Sequence, residues 1–83
     1  MKKAKRIAGH MPIDDRDYDV ILGLAATRMQ IEATADMVYF HPRSVSYRIK
    51  KIKDVTGLNP LDFYDLIKLV DMVKEAGYEP DFL

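Results

Sequence analysis

The thirteen residues from His41 to Lys53 carry five basic side chains, Arg43, Arg48, Lys50, Lys51 and Lys53, and no acid. Ser44, Ser46 and Tyr47 are interleaved with them, and His41 stands at the head of the run. Arginine and lysine can reach phosphate oxygens or guanine edges. Serine can donate or accept at either, and tyrosine can touch a phosphate or a thymine methyl. Gathered on one surface, these groups suit double-stranded DNA better than catalysis. The competing reading is a solvated basic face without a partner, which is what most charge runs are.

Other residues invite chemical readings that their surroundings do not support. His41 next to Pro42 has the look of a general base, but no nucleophile or paired carboxylate stands at a readable spacing. A helix-start cap or a phosphate contact is expected of it instead. Asp14, Asp15, Asp17 and Asp19 mimic a cation loop but lack the glycine and terminal glutamate of an EF-hand, so a charged helix start is expected. The chain has no cysteine and only two histidines, His10 and His41. Disulfides, thiolate chemistry and a zinc site are therefore not expected. No enzymatic activity, cofactor or small-molecule site is read from the sequence.

Formal net charge is zero, which by itself argues against a polyanionic partner. The distribution argues the other way. Residues 1–11 hold four basic groups and no acid, and residues 12–40 hold six acids against two arginines. After Lys53 come seven acids against two lysines. The cationic segment is thus flanked by acidic ones, and phosphates respond to local charge.

The elements that must position this segment follow from periodicity and punctuation. At 83 residues the chain suffices for one domain with one modest core. Residues 1–13 lack periodicity and read as a flexible basic arm or an appended segment, leaving 14–83 as a single domain. No apolar run approaches membrane-span length, no apolar stretch follows the basic start as in a signal peptide, and a cytoplasmic location is expected. From Asp14 to Met29, the spacing of Tyr18, Ile21, Leu22, Ala25 and Met29 predicts a helix, weakened but not ended by Gly23. Ile31, Thr34, Ala35 and Val38 predict a short second helix, with Tyr39-Phe40-His41 as a turn. Pro42 fits the first position of a third helix, on which Val45, Ile49 and Ile52 form the buried stripe and Gly57 the stop. Asn59 is the expected N-cap of a fourth helix running to about Ala76. No stretch alternates with period two over strand length. The expected fold is all-α, a small orthogonal bundle of about four helices.

Turning the third helix away from Val45 and Ile49 exposes Arg43, Ser46, Tyr47, Lys50 and Lys53, with Arg48 and Lys51 on the flanks. The second helix supplies a small residue, Ala35, for a close crossing. Val38, Phe40, Val45 and Ile49 stand where a turn needs clamping. Residues 31–53 thus have the spacing of a helix-turn-helix with 42–55 as recognition helix. Tyr39 takes the place where many such turns have glycine, which requires an unusual backbone conformation or a wider turn there.

The run ATADMVYFHPRSVSYRIKKI, followed by TGLNP, resembles the C-terminal helix-turn-helix of PucR/CdaR-type regulators, whose fold is related to the Fis-type DNA-binding domain. These are bacterial transcriptional regulators of purine and sugar-diacid catabolism. His41, Ser44, Val45, Tyr47, Arg48, Ile49, Ile52, Thr56 and Gly57 occupy the places of the family pattern, and the resemblance extends over Tyr18 to Val73. It implies DNA binding as the mode of action, and together with the exposed face of the third helix it makes His41, Arg43, Ser44, Ser46, Tyr47, Arg48, Lys50, Lys51 and Lys53 the expected DNA contacts. Arg43 stands where the family commonly has asparagine, and Ser46 where it often has arginine, so base preference does not carry over. The family's long N-terminal sensory region has no counterpart in these residues, so effector sensing does not carry over either.

The fourth helix is more apolar than one buried stripe requires. Phe63, Leu66, Ile67, Val70 and Val73 form the expected core-facing set, while Leu61, Tyr64, Leu69 and Met72 spread around further. Pairing with a second copy would bury that excess. Otherwise the first helix and Tyr78, Phe82 and Leu83 would cover it, or the helix would serve as an adaptor surface for another protein in a chain that ignores DNA. Met29, Met37 and Met72 read as core filler.

Overall fold

The computed structural model describes residues 13–82 and contains four helices in that span: α1 (Asp15–Ala26), α2 (Ile31–Val38), α3 (Pro42–Thr56) and α4 (Phe63–Glu75). The expected basic arm at 1–13 lies, apart from Ile13, outside the described residues. The central element is α1. It packs against α2, α3 and α4, and α2 also packs on α3.

Asp14 starts α1. Its carboxylate accepts from the backbone N–H groups of Arg16 and Asp17, both at 3.1 Å, and Asp17 returns a bond to the Asp14 N–H at 3.2 Å. Two of the orphan donors at the helix start are satisfied in this reciprocal way, with Asp15 and Asp17 near the positive end of the dipole. The buried stripe is Asp17, Tyr18, Val20, Ile21 and Leu24. Of the apolar residues whose spacing predicts the helix, Tyr18 and Ile21 are buried, Leu22 is half-buried and Ala25 is exposed.

The helix also ends three residues before Met29. Arg28 and Met29 take the left-handed conformation, at φ 61° and 65°, and the Met29 N–H donates to the Leu24 carbonyl at 2.7 Å. Thr27 secures the turn. Its Oγ1 accepts from the Gln30 N–H at 3.2 Å and lies 2.9 Å from Thr34 Oγ1 on α2.

The expected span of α2 and the start of α3 match the structure. Tyr39 closes α2 in the left-handed conformation, φ 61°, ψ 40°, and the Phe40 N–H returns to the Ala35 carbonyl at 2.9 Å. A non-glycine residue there costs about 1–2 kcal/mol. Pro42 opens α3 and Gly57, at φ 77°, closes it. Val45, Ile49 and Ile52 are buried as the spacing required.

The α4 start differs from expectation. The Asn59 side chain accepts from the Leu61 N–H at 3.0 Å within a tight turn, and its backbone N–H donates to Asp65. The N-cap is Asp62, which accepts from the Asp65 N–H at 3.0 Å. Asn59's side chain is satisfied two residues ahead, so it is not available to cap a helix beginning at Pro60.

The orientation of α4 is a further correction. Its buried residues are Leu66, Leu69 and Val73, so Leu69 belongs to the core. Phe63 and Ile67, expected in the core, are 57% and 45% exposed. Beyond Gly77 the chain folds back, and Tyr78 packs its ring 5.3 Å from that of Tyr18. The Tyr78 hydroxyl donates to Asp19. Met29, Met37 and Met72 are half-buried, Met29 and Met72 against the core. Among the described residues no helix is long and apolar enough to cross a membrane.

Candidate nucleic-acid interface

Nine side chains were expected to meet DNA, and the structure divides them into two groups. His41, Arg43, Ser44, Ser46, Tyr47, Lys50 and Lys53 are exposed along the outer surface of α3 and the residue before it. His41, Arg43, Ser44 and Tyr47 border one shallow depression at the N-terminal end of α3. Ser46, Lys50 and Lys53 lie further along, beside Ile31, Asn59 and Leu61. Arg43 and Ser44 occupy the first turn, where the positive end of the helix dipole adds to the field of the side chains. The His41 side chain makes no cap hydrogen bond, so of its two expected roles the helix-start cap is absent.

Arg48 and Lys51 belong to the second group. Their side chains retain only 15% and 23% exposure and turn toward α1. Arg48 Nη1 lies 2.8 Å from Asp17 Oδ1, and Lys51 Nζ lies 2.7 Å from Asp17 Oδ2. Arg48 also reaches Asp14 at 3.3 Å and stacks its guanidinium 5.8 Å from the centre of the Phe40 ring in the turn before α3. The Asp17 side chain has no exposed surface, yet none of the buried side-chain polar atoms among the described residues lacks a partner. Burial alone would raise the Asp14 carboxyl. The Asp17 backbone N–H and the charges of Lys51 and Arg48 hold it below its ordinary value.

Asp17 was expected only as part of a charged helix start. A signal for more existed: Asp17 lies three, four and seven residues before Val20, Ile21 and Leu24, on the face that those residues bury. A buried carboxylate requires cationic partners.

The remaining charges define the face. Lys50 makes an exposed pair with Asp54 one turn on, at 3.5 Å. Such a pair is worth about 0.3–0.5 kcal/mol and yields readily to a competing anion. Among the described residues Arg43 and Lys53 have no ion pair. Asp54 places an acid near the C-terminal end of the same face. No group of three His, Cys, Asp or Glu side chains among the described residues is arranged to hold a metal ion.

A short helix, a tight left-handed turn and a second helix with a polar, cationic outer face together make a helix-turn-helix. The family model for the PucR C-terminal helix-turn-helix domain matches residues 19–70, inside the span over which the resemblance was read and covering more than half of the chain. No curated protein and no solved structure matches the chain. With α2, the turn at Tyr39 and α3 all inside the matched segment, the chain belongs to the PucR C-terminal helix-turn-helix family, a family of DNA-binding modules of transcription regulators.

Proposed function

We propose that this chain binds double-stranded DNA sequence-specifically as the DNA-binding module of a bacterial transcriptional regulator acting in the cytoplasm, with α3 in the major groove. The observation that carries this reading is the exposed row of Arg43, Ser46, Tyr47, Lys50 and Lys53 on the second helix of the motif. Arg43 and Lys50 are its strongest contributors, because Arg43 stands at the end of α3 that usually penetrates deepest and Lys50 projects opposite the buried stripe. The chain performs no catalysis in this reading. Selection from a random-site duplex library, followed by affinity measured against salt, tests it. A recovered consensus and a steep loss of affinity with salt are expected. Binding that is weak, uniform across sequences and no stronger than that of an unrelated basic domain would refute it.

The working unit in this proposal is a homodimer. One recognition helix covers only a few base pairs, and pairing reaches a second half-site about one helical turn away. Leu24, Ala25, Met29, Phe63, Ile67 and Val70 form an apolar groove between the end of α1 and the length of α4, with no α3 residue in its lining. Arg28, Asp71 and Lys74 also border it. The two helices run antiparallel, since Tyr18 near the start of α1 meets Tyr78 after α4. Arg28 therefore lies toward the Phe63 end of the groove and Asp71 beyond Ile67. A two-fold axis near Ile67 would set this apolar groove against its own copy, the self-complementary contact that a two-fold dimer requires, with the Arg28 end of one copy toward the Asp71 and Lys74 end of the other.

A further inference from the structure

We infer that Asp17 is a positioning residue for the DNA-binding helix: it holds Arg48 and Lys51 against α1, sets the rotation of α3 about its own axis, and withholds both cations from phosphate. The inference rests on the DNA-binding reading above and concerns residues that their charge alone would place on DNA.

Apolar contacts through Val45, Ile49 and Ile52 hold α3 on the core, but burial is non-directional and tolerates some roll of the helix. The Asp17 carboxylate adds directional constraints. Oδ1 takes Arg48 at 2.8 Å, and Oδ2 takes Lys51 at 2.7 Å and the Asp14 N–H at 3.2 Å. Arg48 and Lys51 are three residues apart, about 4.5 Å along the helix axis. Two anchors at different heights on one side of α3 restrain both its roll and its slide. Arg48 extends the restraint to the turn through Phe40. Moving either cation to a phosphate would leave a carboxylate with no exposed surface short of a partner, so the exchange is unfavourable. The outer row from Arg43 to Lys53 meets DNA at the angle this latch dictates.

The test is the salt dependence of binding to the selected duplex and to a scrambled one. The variants are Arg43→Ala, Lys53→Ala, Arg48→Met, Lys51→Met and Asp17→Asn, the methionines keeping much of the apolar stems. Arg43→Ala and Lys53→Ala should each reduce the slope of log K against log salt by about 0.9. Arg48→Met and Lys51→Met should leave the slope unchanged. Asp17→Asn releases Lys51, leaves Arg48 only its longer contact with Asp14, and loosens α3. The ratio of affinities for selected over scrambled duplex should then fall by about tenfold, while scrambled binding is retained or strengthened, a pattern that partial unfolding does not produce because it lowers both affinities together.

Slopes that fall with Arg48→Met or Lys51→Met as they do with Arg43→Ala would overturn the inference. So would parallel losses on both duplexes in a folded Asp17→Asn. If Asp17→Asn does not fold, the two methionine variants decide alone. A wild type that binds no duplex refutes the DNA reading and this inference with it, whereas a wild type that binds with the wrong slopes refutes only the latch.

Discussion

Gly23→Ala should destabilise the domain although it improves a helix. In the middle of α1, alanine is favoured over glycine by about 1 kcal/mol on propensity alone. A steric clash outweighs that gain. A Cβ at position 23 would lie 2.7 Å from Thr34 Cγ2 and 3.4 Å from Val38 Cγ1. The first contact is about 0.8 Å inside the shortest comfortable carbon–carbon separation. Thr34 has little room to yield, because it is fully buried and its Oγ1 bonds Thr27 Oγ1 at 2.9 Å. Turning the methyl aside would break that bond, and separating α1 from α2 would loosen the support of α3. Overpacking of this kind costs about 1–3 kcal/mol, so a net loss of about 1 kcal/mol is expected, or a fall in Tm of about 4–8 °C for a domain this size. Thr34→Ser removes the clashing methyl and keeps the hydroxyl. In a double-mutant cycle followed by far-UV circular dichroism in urea, the pair should couple favourably by about 1 kcal/mol or more. A Gly23→Ala variant that melts higher than wild type, or a coupling of zero, would refute the close approach of α1 and α2 at this position.

Four further outcomes are expected. Arg43→Ala should cost about 1–3 kcal/mol of affinity for the selected duplex if Arg43 grips a base edge in bidentate fashion, and direct binding measurements at moderate salt check this. Ala35→Leu should cost about 1–3 kcal/mol of stability by overpacking a residue that is 1% exposed, which thermal melting reads. Ile67→Glu should hold the chain monomeric in sedimentation equilibrium, whereas a wild type that is itself monomeric both free and on a palindromic site would end the dimer proposal. The acid limb of the stability–pH profile should respond oppositely to two substitutions. Asp14, lowered from its ordinary 3.8, contributes stability that is complete above that value and lost as pH falls through its folded value, so Asp14→Asn flattens the limb. Asp19 is raised by burial, against the opposing hydrogen bond from Tyr78. Its contribution is complete below 3.8 and lost as pH rises through the raised value, so Asp19→Asn steepens the limb.

Some of this architecture was legible residue by residue. The ends of α3 are written in Pro42 and Gly57, whose backbone preferences act locally. At Tyr39 the helix-turn-helix spacing left an unusual conformation or a wider turn, and the structure takes the first. The roll of α4 was not legible. Its apolar residues surround most of the helix, so periodicity admits a stripe through Phe63 and Ile67 as readily as one through Leu66, Leu69 and Val73. Contacts distant in sequence decide between them, including the return of Tyr78 onto Tyr18. The tight crossing was expected at Ala35, which is indeed buried. The place where even a methyl would clash, however, is Gly23 against Thr34, eleven residues away in sequence and visible only once two helices are docked.

The candidate site was legible as a segment but not as a surface. Residue type identifies a cation, and helical spacing gives its angle around α3. Neither says whether an acid from another element waits at that angle. For Arg48 and Lys51 one does, from 31 and 34 residues upstream. The same pairing explains why a formal charge of zero misleads as a guide to partners. Asp14 and Asp17 are the internal counterions of two cations that hold α3 in place, so they belong to the fold's own balance. The outer face then carries Arg43, Lys50 and Lys53 against Asp54 alone. In a helix-turn-helix this small, the acids that cancel the total are partly the ones that orient the basic face. Removing Asp17 should therefore make the chain more cationic and less selective at once.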